Sequence, residues 1–185
     1  MLKKFIRVLL PLCMVGIITL SVSLPSSAYS FESYRLENGK LRCYYDNWLD
    51  LKAKTAVTAG VGAWEKKVSS VSFVPQGGVP VYFSVENSPD VSWDGICTTE
   101  YYTSTGYAIS SLIRFNSAKP AWNDPQALQS VAVHEMGHVM GLADLDLYTE
   151  AIMNKATYGP GSRYEEYALT EPCWDDIQGI TALYG

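Results

Sequence analysis

Between residues 41 and 116, short runs rich in Val, Ile, Tyr, Phe and Thr are separated by turn-forming residues. Runs of this composition are typical of β-strands. They predict strands at about residues 41–45, 71–74, 79–85, 96–103 and 107–116. Pro80 is compatible with the third of these only near the start of the strand or at a sheet edge.

A helical spacing of apolar residues separates the first strand from the second. Asp50 is a suitable N-cap, and the apolar positions, which include Trp64, predict one buried face of a helix over 51–68. Gly60 and Gly62 lower the intrinsic stability of this helix. Packing against the rest of the fold is therefore expected to sustain it.

Two further helices are predicted in the last third of the chain. Asp124 as N-cap and Pro125 at the first helical position indicate where one helix begins, and Gly141 is placed to end it. A last helix is predicted over 172–184, with Thr170 as its candidate cap. The order of elements is β-α-β-β-β-β-α-α, which predicts one domain of α/β class, more narrowly α+β, over residues 29–185.

Residues 1–28 have the composition of a secretory signal peptide. Lys3 and Arg7 lie in a charged first segment, an apolar run follows over 8–20, and small residues end at Ala28. The apolar run is shorter than the roughly 20 residues that cross a membrane. We expect cleavage after Ala28, a secreted extracellular protein and no membrane attachment after cleavage.

Removal of this segment would take away three basic residues and change the net charge from −5 to −8. An acidic surface argues against nucleic acid or an anionic membrane as the partner. It does not identify a peptide or protein substrate.

Three cysteines would follow the signal peptide: Cys43, Cys97 and Cys173. Because an extracellular setting permits disulfides, one disulfide and one buried thiol are expected. The sequence does not indicate which two would pair.

The chain contains two histidines, His134 and His138, and both lie in one motif over 134–144 that has the form H-E-x-x-H-x-x-G-x-x-D. Side chains four residues apart on a helix share a face, so both imidazoles can reach one metal ion. Glu135 follows the first histidine, where it can act on water without being a ligand. The motif predicts a zinc hydrolase, and a peptidase above all.

With no third histidine in the chain, a third protein ligand has to be a carboxylate or a cysteine. Asp144 is the leading candidate, because Gly141 lets the backbone leave the helix sharply and return towards the metal. Asp146 is a weaker rival with less suitable spacing. Glu165 or Glu166 would correspond to a ligand supplied from a later segment.

Three protein ligands leave the fourth position of a catalytic zinc ion to water. Zinc lowers the pKa of that water, and Glu135 would serve as the general base that removes its proton. A catalytically inactive protein that binds peptides or a partner is the alternative, and the intact Glu135 counts against it. A zinc hydrolase that acts on another kind of bond is a third reading.

At these residues the chain resembles a metzincin, and within that clan the matrixins. The motif from His134 to Asp144 matches the clan's helix motif, in the aspartate variant of snapalysin-type proteases. The segment 151–154 is similar to the Met-turn, and 175–185 is similar to the end of a matrixin catalytic domain. The segment 55–73 is similar to that fold's first helix and the strand after it.

This resemblance implies a mixed twisted sheet with an active-site helix, a Met-turn and a C-terminal helix. It implies that His134, His138 and Asp144 hold zinc, that Glu135 is the catalytic base and that Met153 is a structural floor. It also implies that a peptide binds along a sheet edge within 95–103. A pocket for the residue after the scissile bond is expected against three side chains: Val131, Ala156 and Tyr158.

The chain departs from the matrixin pattern at several points. An aspartate stands where a third histidine is usual, and no histidines are left for a structural zinc, so one catalytic zinc ion is expected. Calcium is common among relatives, but no acidic loop here indicates a site. We expect a monomeric zinc metalloendopeptidase with protein or peptide substrates.

Overall fold

The computed structural model of this protein describes residues 29–45 and 47–185. The predicted signal peptide, residues 1–28, lies outside the described residues. In the described part no helix is long and apolar enough to cross a membrane. The strands are β1 (Lys40–Tyr44), β2 (Ser72–Phe73), β3 (Val79–Glu86), β4 (Gly95–Tyr101) and β5 (Ala108–Asn116). The helices are α1 (Leu51–Lys67), α2 (Pro125–Val139) and α3 (Trp174–Tyr184), with a short 3₁₀ helix over Pro120–Asn123.

The strands form one mixed sheet with the order β2-β1-β3-β5-β4. The pairs β1/β2, β1/β3 and β3/β5 are parallel, whereas β4 runs antiparallel to β5. β4 is therefore an edge strand of this sheet, at the position where the sequence predicted a free edge. The mixed α/β fold that the sequence predicted is confirmed.

The two faces of the sheet differ in burial because side chains alternate along each strand. Val81, Phe83, Ile113 and Phe115 point into the core, and the neighbouring Tyr82 is 46 % exposed. α1 and α2 pack against each other within the same core. One layer of helices thus covers one face of the sheet.

The contact between α1 and α2 explains the two glycines of α1. A Cβ on Gly60 would lie 3.2 Å from Met136 Sδ, so this glycine allows α2 to approach closely. Gly62 is exposed, with no atom within 4 Å of the position its Cβ would occupy. The fully buried Trp64 donates a hydrogen bond from Nε1 to the carbonyl of Val133 at 2.9 Å.

The start and the end of α2 follow the sequence signals. The Asp124 side chain accepts hydrogen bonds from the backbone N–H groups of Gln126 and Ala127, and Pro125 opens the helix. Gly141 ends the helical segment with φ of +92°, and a Cβ there would lie 2.7 Å from the carbonyl oxygen of Tyr34. A glycine is needed at this point for both conformational and steric reasons.

The predicted cap of the last helix is wrong. α3 begins at Trp174, and its N-cap is Cys173 rather than Thr170. The Asp176 carboxylate accepts a hydrogen bond from the Cys173 backbone N–H at 2.7 Å. This contact fixes the helix start at Trp174, two residues after the predicted start at 172.

The expected disulfide is also absent, since Cys43, Cys97 and Cys173 are all free thiols. They lie in β1, in β4 and at the start of α3. Burial raises the pKa of each thiol to about 12, so none of them is a thiolate near neutral pH.

Candidate functional site

Helix α2 presents the two histidines one turn apart. Each Nδ1 faces a backbone carbonyl: His134 faces Ile152 at 2.9 Å and His138 faces Leu142 at 2.9 Å. Because a carbonyl only accepts, Nδ1 is the protonated nitrogen of both rings. In the neutral form of each ring Nε2 therefore has a lone pair, and the two Nε2 atoms lie 3.2 Å apart.

The chain that follows α2 returns to the same point. After Gly141 the backbone reverses, and a hydrogen bond from Leu145 N–H to the Met153 carbonyl fixes the returning segment at 2.8 Å. Asp144 Oδ1 then lies 3.3 Å from His134 Nε2 and 3.4 Å from His138 Nε2. Two nitrogens and one oxygen form a nearly equilateral triangle.

This triangle fits a zinc ion. Ligand atoms at about 2.0–2.1 Å from a tetrahedral zinc are separated by roughly 3.3 Å, close to the spacing of these three atoms. Two imidazoles and one carboxylate are also donors that zinc accepts. Three lone-pair atoms facing one another repel unless a cation or a proton lies between them.

The pKa values of His138 and Asp144 favour a positive charge beside the Asp144 carboxylate, whereas that of His134 does not. Burial and then Arg163 lower the pKa of His134 to about 3. Burial alone would lower the pKa of His138, but hydrogen bonds with Asp144 and Glu32 outweigh it and raise that pKa to about 10. Burial opposes ionisation of Asp144, yet its contacts with both histidines hold its pKa well below the usual range.

Glu135 is a second carboxylate close to the histidines. His134, Glu135 and His138 offer ligand atoms that lie within 4.8 Å of one another. Asp144 Oδ1 lies 3.3 and 3.4 Å from the two Nε2 atoms, which are the separations expected between ligands of one zinc ion, so the geometry supports Asp144 as the third donor. Glu135 is 4 % exposed, and burial raises its pKa to about 7.

Gly95 of β4 lies against the Glu135 side chain. A Cβ on Gly95 would lie 3.0 Å from Glu135 Oε1 and 2.5 Å from Val131 Cγ1. The missing side chain leaves the space in which the carboxylate lies. The sequence alone gave no sign of this contact, because the residues belong to different elements.

Met153 packs against α2 at Gly137, a residue that lies between the two histidines in the helix. A Cβ on Gly137 would collide with Met153 Sδ, and the methionine is 2 % exposed. Asp176 holds this turn by accepting hydrogen bonds from the backbone N–H groups of Ile152 and Met153, at 2.9 and 3.1 Å. Met153 is therefore a buried residue packed beneath the part of α2 that carries both histidines.

A cleft of about 700 Å³ opens above the histidines. Of the three residues predicted to line a substrate pocket, Ala156 and Tyr158 line this cleft. Val131 is fully buried beneath Gly95 and is not among the lining residues. Val131 points into the core, and Gly95 packs over it.

The rival ligand candidates lie apart from the triangle. The Asp146 side chain is 92 % exposed and pairs with Lys155 at 2.8 Å. Glu165 is exposed and accepts a hydrogen bond from the backbone of Gly159, and Glu166 is exposed as well. None of these carboxylates lines the cleft.

Glu32 and Arg163 are among the charged residues of the cleft that the sequence did not indicate. Glu32 Oε1 lies 3.5 Å from His138 Nδ1, because the segment around Glu32 pairs with the backbone of Gly141. Arg163 is 2 % exposed and lines the cleft beside Thr157. Both lie in irregular segments, and no sequence pattern places them near the motif.

A known protein family matches most of the chain. Residues 46–185 match the family model described as Matrixin. No curated protein matches the chain. The match covers most of the described residues and includes the histidine motif, the Met-turn segment and α3.

Proposed function

The chain belongs to the matrixin family, and we propose that it is a secreted zinc-dependent endopeptidase. The family and the histidine cluster support a metalloprotease. The observation that carries the finer proposal is the triangle of lone-pair atoms from His134, His138 and Asp144.

In this proposal those three residues hold one zinc ion. When bound, zinc supplies Lewis acidity, which lowers the pKa of water and stabilises negative charge on the substrate carbonyl oxygen. The carbonyls of Ile152 and Leu142 orient the imidazoles and fix their tautomers. The buried pair formed by Gly137 and Met153 supports the helix from below.

Glu135 moves the proton. Its carboxylate takes a proton from the attacking water and delivers it to the nitrogen of the leaving amine. Burial brings the pKa of Glu135 to about 7, and this value suits both accepting and releasing a proton near neutral pH. Glu135 thus provides the acid–base chemistry that an inactive peptide-binding relative would not need.

The substrate is proposed to lie along the edge of β4. Gly95, Ile96 and Cys97 line the cleft, and an edge strand offers unpaired backbone groups for strand addition. Ala156 and Tyr158 line the same cleft. The proposal of secretion is supported by the composition of residues 1–28.

A metal-removal experiment tests this function and its ligand set. Casein cleavage should be lost with a chelator and restored by one equivalent of zinc per chain. Asp144→Ala should lose zinc and activity, whereas Asp146→Ala is a matched control whose exposed side chain should leave both intact. Cleavage that persists without metal would overturn the proposal, and zinc loss in Asp146→Ala alone would overturn the ligand set.

A further inference from the structure

Arg163 is a buried cation without a carboxylate partner. Its side chain donates from Nη1 to the carbonyl of Asn154 and from Nη2 to Thr157 Oγ1, each at 2.8 Å. Its Nε is buried and has no hydrogen-bond partner. Among the described residues no Asp or Glu forms an ion pair with this guanidinium.

An isolated buried charge is unfavourable, and proteins normally pair such groups. Burial lowers the pKa of Arg163 to about 10, and the negative charges of Glu135, Asp94 and Asp144 act against this shift from a distance. Arg163 therefore stays protonated at neutral pH. Its hydrogen bonds to neutral acceptors use two of the five N–H groups of a guanidinium.

Buried or half-buried charges of both signs line the cleft around the histidines. Glu32 lies beside His138, whereas Arg163 acts on His134 and borders the segment that carries Thr157 and Tyr158. Lys119 and Lys155 also line the cleft, but Lys119 donates to the carbonyl of Pro89 and Lys155 pairs with Asp146. Asp94 lines the cleft as well, and it forms no ion pair with Arg163. Glu135 and Asp144 also line the cleft, and in the proposed function they belong to the catalytic site.

We propose that Arg163 determines specificity, favouring substrates with an Asp or Glu side chain in the part of the cleft that Arg163 lines together with Ala156, Thr157 and Tyr158. This inference rests on the proposed function and on the expectation from the sequence that Ala156 and Tyr158 line the pocket for the residue after the scissile bond. A substrate carboxylate would provide the counter-ion that the fold does not supply. Bonds between guanidinium and carboxylate are strong in a site from which water is excluded.

Matched peptides test this specificity. After cleavage sites are mapped in unfolded casein, two peptides are made that differ only in Glu or Gln after the scissile bond. The native protein, loaded with zinc, should cleave the Glu peptide with a kcat/KM at least about tenfold higher. The preference should persist at high salt, because salt screens a buried charge far less than a charge at the surface.

Three variants separate Arg163 from other cations. Arg163→Gln should reduce the Glu-to-Gln ratio to near one, and Arg163→Lys should retain a preference for Glu. Lys119→Gln should change the ratio by less than about twofold, since its ammonium group already donates to the Pro89 carbonyl and partly solvated charges interact weakly. If Arg163→Gln fails to fold, the salt dependence of the native protein and the ratio for Arg163→Lys decide the matter.

The outcomes distinguish this inference from the function on which it rests. A ratio near one in the native protein, a preference that salt abolishes, or an unchanged ratio in folded Arg163→Gln would overturn the role of Arg163 alone. If the native protein cleaved neither casein nor any peptide, the proposed peptidase function would fail, and the specificity would fail with it.

Discussion

At the scale of single residues, the position of the Glu135 carboxylate depends on the missing side chain of Gly95. The backbone of Gly95 lies outside the left-handed region, so an alanine introduces no backbone strain there. The consequence of substitution is therefore steric, since the new methyl group would contact Glu135 and Val131.

We expect Gly95→Ala to reduce kcat/KM by about 100-fold, because a displacement of roughly 1 Å is sufficient for such a loss. Zinc content should be unchanged, since Gly95 is not among the proposed ligands. Gly62→Ala, at an open surface position, is the control for the effect of a methyl group elsewhere. Full activity in Gly95→Ala would show that this contact does not position Glu135.

Sequence reasoning found the residues whose roles follow from local spacing. The helical repeat brings His134 and His138 together, and Gly141 explains why Asp144 returns to them. Glu32 and Arg163 could not be found in this way. Their contacts depend on how two irregular segments pack against α2, and one-dimensional spacing contains no measure of that packing.

At the scale of elements, α1 contains two glycines whose replacement by alanine should affect the free energy of unfolding differently. Gly62 faces solvent and Gly60 faces α2. Gly62→Ala should raise the free energy of unfolding by about 0.5–1 kcal/mol, because glycine loses more backbone entropy in a helix. Gly60→Ala should gain less, since its methyl group would crowd Met136. Denaturant unfolding measures both, and a destabilised Gly62→Ala would contradict the assignment.

The connection between α3 and the Met-turn depends on the Asp176 carboxylate. Asp176→Asn should lower the free energy of unfolding by about 1–3 kcal/mol, because an amide nitrogen would then face backbone N–H groups. Asp175→Asn is the matched control, with a much smaller expected change.

The same carboxylate predicts a dependence on pH. Burial raises the pKa of Asp176 to about 6 from its ordinary value of 3.8, although hydrogen bonds from Ile152, Cys173 and Met153 oppose the rise. The folded state thus binds this proton more tightly than the unfolded state. The associated stability is fully present below pH 3.8 and is lost as the pH rises through about 6.

We therefore expect the stability difference between the native protein and Asp176→Asn to be larger at about pH 5 than near neutral pH. Denaturant unfolding with a chelator present measures this difference, so that zinc release does not contribute. A difference that grows with pH would show that the pKa of Asp176 is not raised by folding.

The element order and most boundaries follow from the sequence because apolar spacing and caps are local signals. The start of α3 does not follow from the sequence. Cys173 is the N-cap because its backbone N–H donates to Asp176, and the apolar spacing does not reveal this contact. The absence of a disulfide is likewise a property of the tertiary fold, which distributes the three cysteines over separate elements.

At the scale of the whole molecule, three distant segments meet at the Tyr184 hydroxyl. Tyr184 accepts a hydrogen bond from the backbone of Leu36 and donates one to the carbonyl of Met140, at 2.9 and 2.7 Å. The end of the chain thereby joins the segment before β1 to the end of α2. The fold class and the edge position of β4 were predictable, but these closures were not, because they join residues more than 40 positions apart in the chain.

The central claim is that this fold positions Glu135 as the base of a zinc peptidase. Its most direct test is the rate of casein cleavage by the native protein and by Glu135→Ala, each with its bound zinc measured. Equal zinc content with a loss of rate of at least about 100-fold is the predicted result. Equal rates in the two proteins would contradict the claim, and so would loss of zinc from Glu135→Ala, which would make Glu135 a ligand.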